Sequence, residues 1–300
     1  MCDVIRSVAP GALVTLGQDE GGTSTRSSQQ LHADAVDYTS MHPWWNNDDV
    51  LSSGLFAKVP DKPMLFEEVG LMRLEDKNGW PARSPEVAAQ MIDRKFAYAF
   101  AARGAGAVEW AWNINPYMPV DNESVIGFFR PDGTAKPELD VIAKFSNFFR
   151  DAAPWLDDFA PDRVVVTIPQ SRIFKEEPNA IESFRKLIHV LSERFGVVPM
   201  AISDLRPKPD GRLIIDEKTT DLQKVLADAH IPTNPGNDGV AVRLLEAPRA
   251  ILAILINETQ AEVQRTVNIN GRAVDVSVPA GRSRLILFDR ATGNVIVETP

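Results

Sequence analysis

The sequence predicts an α/β fold. A parallel sheet with crossover helices covers residues 1–155, a small α/β domain follows at 160–235, and an antiparallel β-sandwich closes the chain at 240–300. Three observations carry this. Residues 1 to about 150 read strand, crossover, strand, crossover four times over, and that alternation builds a parallel sheet. The polar and aromatic clusters fall after these strands rather than before them, as they do at the active face of a β/α barrel. From Val240 onward short strands alternate with turns at Asn270-Gly271, Ala280-Gly281 and Thr292-Gly293, which suits a sandwich.

Each element has a local cause. Asp3 to Val8 reads as the end of a helix closed by Pro10-Gly11, and Ala12 to Leu16 as an apolar strand stopped by Gly17. The loop Gln18 to Ser24 is rich in glycine and hydroxyls, but it lacks the Gly-Lys-Ser/Thr ending of a phosphate cradle. Nucleotide binding is set aside there. Ala35 to Ser40 is strand-like and runs into Met41-His42-Pro43-Trp44-Trp45, with a short helix over 46–58. Met64 to Phe66 reads as a short buried strand. The strongest helix signal follows Ser84, an N-cap, with Pro85 at the first helical position and Gly104 as the stop. Ala107 to Trp112 is a fourth strand, and a helix runs from Pro137 to about Arg150. Beyond Trp155 come a β-branched strand at 163–168, an amphipathic helix at 181–195, a strand at 197–202 and a helix at 221–229. The turn-rich run Thr233 to Gly239 leads into six short strands.

Composition narrows the function. Of 300 residues, 44% are hydrophobic and 24% charged, ordinary values for a globular chain with ample core. A net charge of −9 argues against nucleic acid as a partner. No apolar run reaches membrane-spanning length, and the N-terminus lacks a basic region followed by an apolar one, so the sequence names no membrane partner and leaves the compartment open. Cys2 cannot form an intrachain disulfide, because it is the single cysteine. The four histidines lie far apart without cysteine partners, so no metal or other cofactor is expected.

The stretch that remains to be explained is Lys62 to Gly70, Lys-Pro-Met-Leu-Phe-Glu-Glu-Val-Gly. Two carboxylates arrive where a buried strand should end, and carboxylates are costly to bury. At the C-terminal edge of a parallel strand the usual reason is chemistry; a solvated strand end is the plainer alternative. Parity places Met64, Phe66 and Glu68 on one side and Leu65, Glu67 and Val69 on the other.

This stretch resembles strand seven of the clan A glycoside hydrolases, the (β/α)8 superfamily that includes family 5 cellulases and mannanases and family 42 β-galactosidases. Four further stretches agree in order. Ala9 to Gly17 is similar to strand five with its lead-in, and Tyr38 to Trp44 to strand six, although that strand often carries His-x-Tyr and here reads His42-Pro43-Trp44. Trp110 to Asn113 looks like strand eight, and Phe128 to Pro137 like the lead-in to the last barrel helix. The resemblance covers about half the chain. It implies the C-terminal half of a (β/α)8 barrel with trailing domains, and a retaining O-glycoside hydrolase acting on β-linked sugars of an oligo- or polysaccharide.

In that family the nucleophile is the glutamate that matches Glu68. The resemblance makes His42 a sugar contact, against a hydrogen-bonded strand-end histidine. It gives Trp110 or Trp112 as a stacking face for a pyranose. Trp44, like Trp45 and Trp80, suits either packing or a platform at the rim. Asp19 and Glu20 follow strand five and either contact sugar hydroxyls or form a solvated loop. The family's acid/base lies in an Asn-Glu pair after strand four. The pairs present, Asn122-Glu123 and Asn257-Glu258, occupy neither that place nor its neighbourhood. The expected acid/base therefore lies upstream of residue 1. Its absence leaves a second function class open, a non-catalytic carbohydrate-binding or assembly remnant. The flavodoxin-like alternation of 160–235 carries no phosphate loop and ranks below both. An open half-barrel exposes two sheet edges, which predicts self-association into a homo-oligomer.

Overall fold

A computed structural model describes residues 1–17, 28–43, 47–72, 77–78, 82–115, 117, 126–233 and 239–300. Helix α1 (Cys2–Val8) buries none of its residues. Strand β1 (Thr39–Met41), helix α2 (Asn47–Ala57), strand β2 (Met64–Val69), helix α3 (Pro85–Ala101), strand β3 (Gly106–Glu109) and helix α4 (Glu138–Ala152) follow. The three strands form one parallel sheet in the order β1-β2-β3, with Met41 opposite Phe66 and Phe66 opposite Ala107. Met41, Met64 and Phe66 are fully buried, in one apolar cluster with α2 and α3. Ser84 caps α3 by accepting from Val87 N at 3.3 Å, with Pro85 opening the first turn.

Among the described residues the first expected strand, Ala12 to Leu16, does not enter the ladder. It lies beside β1 through mixed bonds: Asp37 N donates to Val14 O at 2.8 Å, Val14 N to the Asp37 carboxylate at 2.7 Å, and Thr15 Oγ1 to Tyr38 O at 2.8 Å. Side chains have taken the places that backbone partners would fill, so four predicted strands become three. The strand expected from Ala35 starts only at Thr39, because Ala33–Ala35 closes a 3₁₀ turn.

A second parallel sheet has the order β5-β4-β6: β4 (Val164–Ile168), β5 (Met200–Ser203) and β6 (Leu213–Ile215), the last a strand that the sequence reading did not mark. Around it lie α5 (Gln170–Ile173), α6 (Ala180–His189), whose end widens into a π turn over Val190–Arg194, and α7 (Leu222–Asp228). The last strands match expectation closely: β7 (Val240–Glu246), β8 (Ala250–Asn257), β9 (Val263–Ile269), β10 (Arg272–Val278), β11 (Ser283–Asp289) and β12 (Val295–Glu298). They form a sheet β12-β11-β8-β7 and a hairpin β10-β9, with a shared apolar layer that includes Leu255, Val267, Val278 and Phe288.

Helix α3 is the joint of the molecule. Its apolar face covers β2 and β3, and its polar face meets the sandwich. There the buried Asp93 accepts from Ser283 N at 2.7 Å and from Lys144 Nζ at 2.8 Å, while Arg94 Nε reaches Glu258 at 2.8 Å. Gln30 ties the early segment to the second sheet, donating to Ala201 O at 2.8 Å and accepting from Ser203 N at 2.9 Å. Among the described residues no helix is long and apolar enough to cross a membrane.

Candidate active site

The site forms where β1 and β2 end. Continuing the β1–β2 register by one step sets His42 opposite Glu67. The β2–β3 register then slips between Phe66 and Val69: Phe66 faces Ala107 and Val69 faces Glu109, so two residues of β2 oppose one of β3. This is a β-bulge, a device that re-aims side chains at strand ends. It overturns the parity argument. Phe66 and Val69 are both buried in the core, and Glu67 and Glu68 both reach the same histidine. His42 Nε2 lies 3.5 Å from Glu67 Oε2, and His42 Nδ1 lies 3.6 Å from Glu68 Oε2.

Further groups hold this arrangement. The Tyr38 hydroxyl donates to Glu67 Oε1 at 3.0 Å. Burial, and then acceptance by Glu67, raise the Tyr38 pKa, so it serves as a neutral donor. Gln29, wholly buried, accepts from Ser40 N at 2.8 Å and also donates to Ser40 O, gripping the backbone of β1 below His42. Gly17 passes close above: a Cβ there would stand 3.7 Å from His42 Cε1 and 4.0 Å from Glu67 Oε2. The sequence reading missed Tyr38 and Gln29. For Tyr38 a signal existed, since it shares a strand face with His42 four residues on. For Gln29 there was none.

Trp110 N donates to Val69 O at 3.0 Å, which places this tryptophan beside the end of β2, and the Trp110–Ala111 peptide is cis. Trp110 is 45% exposed and Trp112 65% exposed. Trp112 leans on Phe129, with ring centroids 5.0 Å apart, and borders a groove of about 400 Å³ with Asn113, Ile114 and Arg130. Asp19, Glu20 and Trp44 lie outside the described residues, as do Trp45, Trp80 and the pair Asn122-Glu123. Asn257-Glu258 belongs to the sandwich end of β8, where Arg94 holds Glu258. The structure thus gathers Glu67, Glu68, His42, Tyr38 and Trp110 at one sheet edge. Two carboxylates, an imidazole and a phenol beside exposed indoles can bind a polyhydroxylated ring and present a carboxylate nucleophile to it. Among the described residues no group of three His, Cys, Asp or Glu side chains is placed to hold a metal ion.

The fold is similar to that of solved GH42 and GH5_18 glycoside hydrolases. The chain is similar to a β-galactosidase from Bacillus circulans sp. alkalophilus, with a TM-score of 0.69, 10% identity, and 99% of this chain and 65% of that chain covered. It is similar to a catalytic mutant of Gan42B, a GH42 β-galactosidase from G. stearothermophilus, with a TM-score of 0.68, 9% identity, and 95% and 65% covered. A GH5_18 enzyme from Streptomyces cattleya in complex with Manb1-4GlcNAc aligns at a TM-score of 0.53 and 15% identity over 72% of this chain and 59% of that chain. The chain spans about 65% of the length of the β-galactosidases it matches. At identities of 9–15% the likeness is one of fold. No family model matches the chain, and no curated protein sequence does.

Proposed function

We propose that the chain carries the nucleophile side of a retaining O-glycoside hydrolase acting on β-linked sugars. In this reading residues 1–155 are the C-terminal half of a (β/α)8 catalytic barrel, with 160–235 and 240–300 as appended domains. The observation that supports it is the pair Glu67 and Glu68 around His42 at the C-terminal end of β2. Glu68 is assigned as nucleophile from its place before Val69-Gly70, while Glu67, held by Tyr38, fixes the histidine and adds negative charge. A Glu68 oxygen attacks the anomeric carbon as the glycosidic C–O bond breaks, the leaving oxygen takes a proton from an acid, and water hydrolyses the glycosyl ester. His42 and Trp110 contact the sugar in this reading, with Trp112, Trp44, Asp19 and Glu20 as outer contacts. The acid, a carboxylate ~5–5.5 Å from the nucleophile in retaining enzymes, is assigned to polypeptide other than these residues.

A specific observation favours a second reading: in the one Asn-Glu pair among the described residues, at the end of β8, the glutamate is paired with Arg94 of α3 at 2.8 Å. Without an acid the site would bind carbohydrate and not cleave it. Dinitrophenyl 2-deoxy-2-fluoro-β-glycosides separate the two, because their leaving group needs no proton and the fluorine slows hydrolysis of the ester. Incubated with this chain, a galactoside, glucoside and mannoside series should leave one glycosyl mass increment, mapped to Glu68. The increment should vanish in Glu68→Gln and persist in Glu67→Gln. An increment on Glu67 would move the nucleophile by one residue. No increment, together with saturable oligosaccharide binding, would establish the second reading.

A further inference from the structure

Lys95 projects from the buried face of α3 and is wholly buried, which is costly for an ammonium unless it is well partnered. Its Nζ donates to Gly70 O at 2.7 Å and to Pro43 O at 3.2 Å. Those carbonyls stand just past the ends of the ladder, since β1 stops at Met41 and β2 at Val69. Pro43 directly follows His42, and Gly70 follows Glu68 by two residues. One ammonium thus ties together the two backbone segments from which His42 and Glu68 project towards each other. Glu109, the residue of β3 opposite Val69, lies near enough to Lys95 to feel its charge, and the ion pair of Lys136 with Glu138 at 2.8 Å completes the charged layer behind the site. An apolar side chain would fill the same space under α3. It would not satisfy two carbonyls on neighbouring strands.

We propose that Lys95 is a positioning residue: from behind the sheet it sets the separation of His42 from Glu67 and Glu68. The inference deepens the site reading above, but what it predicts is the geometry around His42. Failure of the glycosidase reading would leave it standing.

The test is the ring-nitrogen NMR spectrum of His42 at fixed pH in the full chain, with its signals identified by their loss in His42→Gln. His189 and His230, in the second sheet's part of the chain, serve as internal references. Lys95→Met keeps the apolar stem and removes the donor; Lys95→Gln keeps a shorter, neutral donor. The expected result is that Lys95→Met shifts both His42 ring-nitrogen signals and leaves His189 and His230 in place. Lys95→Gln should shift them less. A lysine analogue made by aminoethylating Lys95→Cys in a Cys2→Ser background, alkylated unfolded and then refolded, should restore the original spectrum. Unmoved His42 signals in folded Lys95→Met would overturn the proposal. If Lys95→Met fails to fold, Lys95→Gln is read alone. If neither variant folds, Lys95 serves the core and not the site, and the proposal also falls.

Discussion

Glu109 shows how much one carboxyl group can weigh. Its Oε2 is buried without a hydrogen-bond partner. Burial raises its pKa well above the usual value near 4.5; Glu138 adds to the rise, and Lys95 and Lys136 oppose it. A native acid that stays neutral where the unfolded chain ionises loses stability as pH rises from about 4.5 through its native value. Below that range both states are protonated and the effect vanishes. Glu109→Gln should therefore melt within a degree or so of the parent at pH 4 and higher than it at pH 7. Each tenfold change in acidity is worth ~1.4 kcal/mol, or about 2 °C at this chain length. Thermal melts across pH decide it: a variant that melts lower at pH 7 would mean that an ionised Glu109 is the working partner of Lys95.

At the scale of the element, β2 depends on one ring. Phe66 is fully buried between two glycines: a Cβ at Gly54 of α2 would stand 2.6 Å from its Cζ, and one at Gly104 would stand 2.7 Å from its Cε2. This packing seats the strand immediately before the bulge, so the aim of Glu67 and Glu68 depends on it. Within a helix, Gly→Ala ordinarily gains up to ~1 kcal/mol. At Gly54 the added methyl also meets Ala102 Cβ at 3.0 Å, and overpacking a closed core costs ~1–3 kcal/mol. Gly54→Ala should therefore be destabilising by about 1–2 kcal/mol in urea titrations, against its helix propensity. A stabilised variant would show that α2 can move away from β2 freely.

For the whole molecule the consequential feature is the edge of the first sheet. Among the described residues the ladder β1-β2-β3 ends at β3, where Val108 is 51% exposed, and Leu13 and Leu16 are exposed along the segment beside β1. Unpaired edges flanked by exposed apolar residues favour association. The isolated chain should show concentration-dependent self-association by sedimentation velocity, and Val108→Lys should shift it towards monomer, since an edge lysine blocks strand addition. If association is unchanged in Val108→Lys, another surface carries it; if the parent is monomeric at every concentration, the expectation of a homo-oligomer fails.

Much of this was legible in the chain itself. Alternation of apolar runs with caps and glycine stops located α3, β2, β4 and all six final strands, because those signals are local and act within a few residues. The Glu-Glu pair marked the end of β2, since charge at the end of a buried strand is conspicuous in any sequence. What the residues could not disclose were relations between segments. Whether 12–16 pairs by backbone or through the Asp37 and Thr15 side chains depends on its neighbour, β1. Which way Glu68 points depended on a slip of register against β3, and a strand's own parity contains no trace of its partner's. Tyr38, Gln29 and Lys95 are ordinary residues in sequence. They acquire their places at the site only where distant backbone brings Glu67, Ser40, Pro43 and Gly70 within hydrogen-bonding distance.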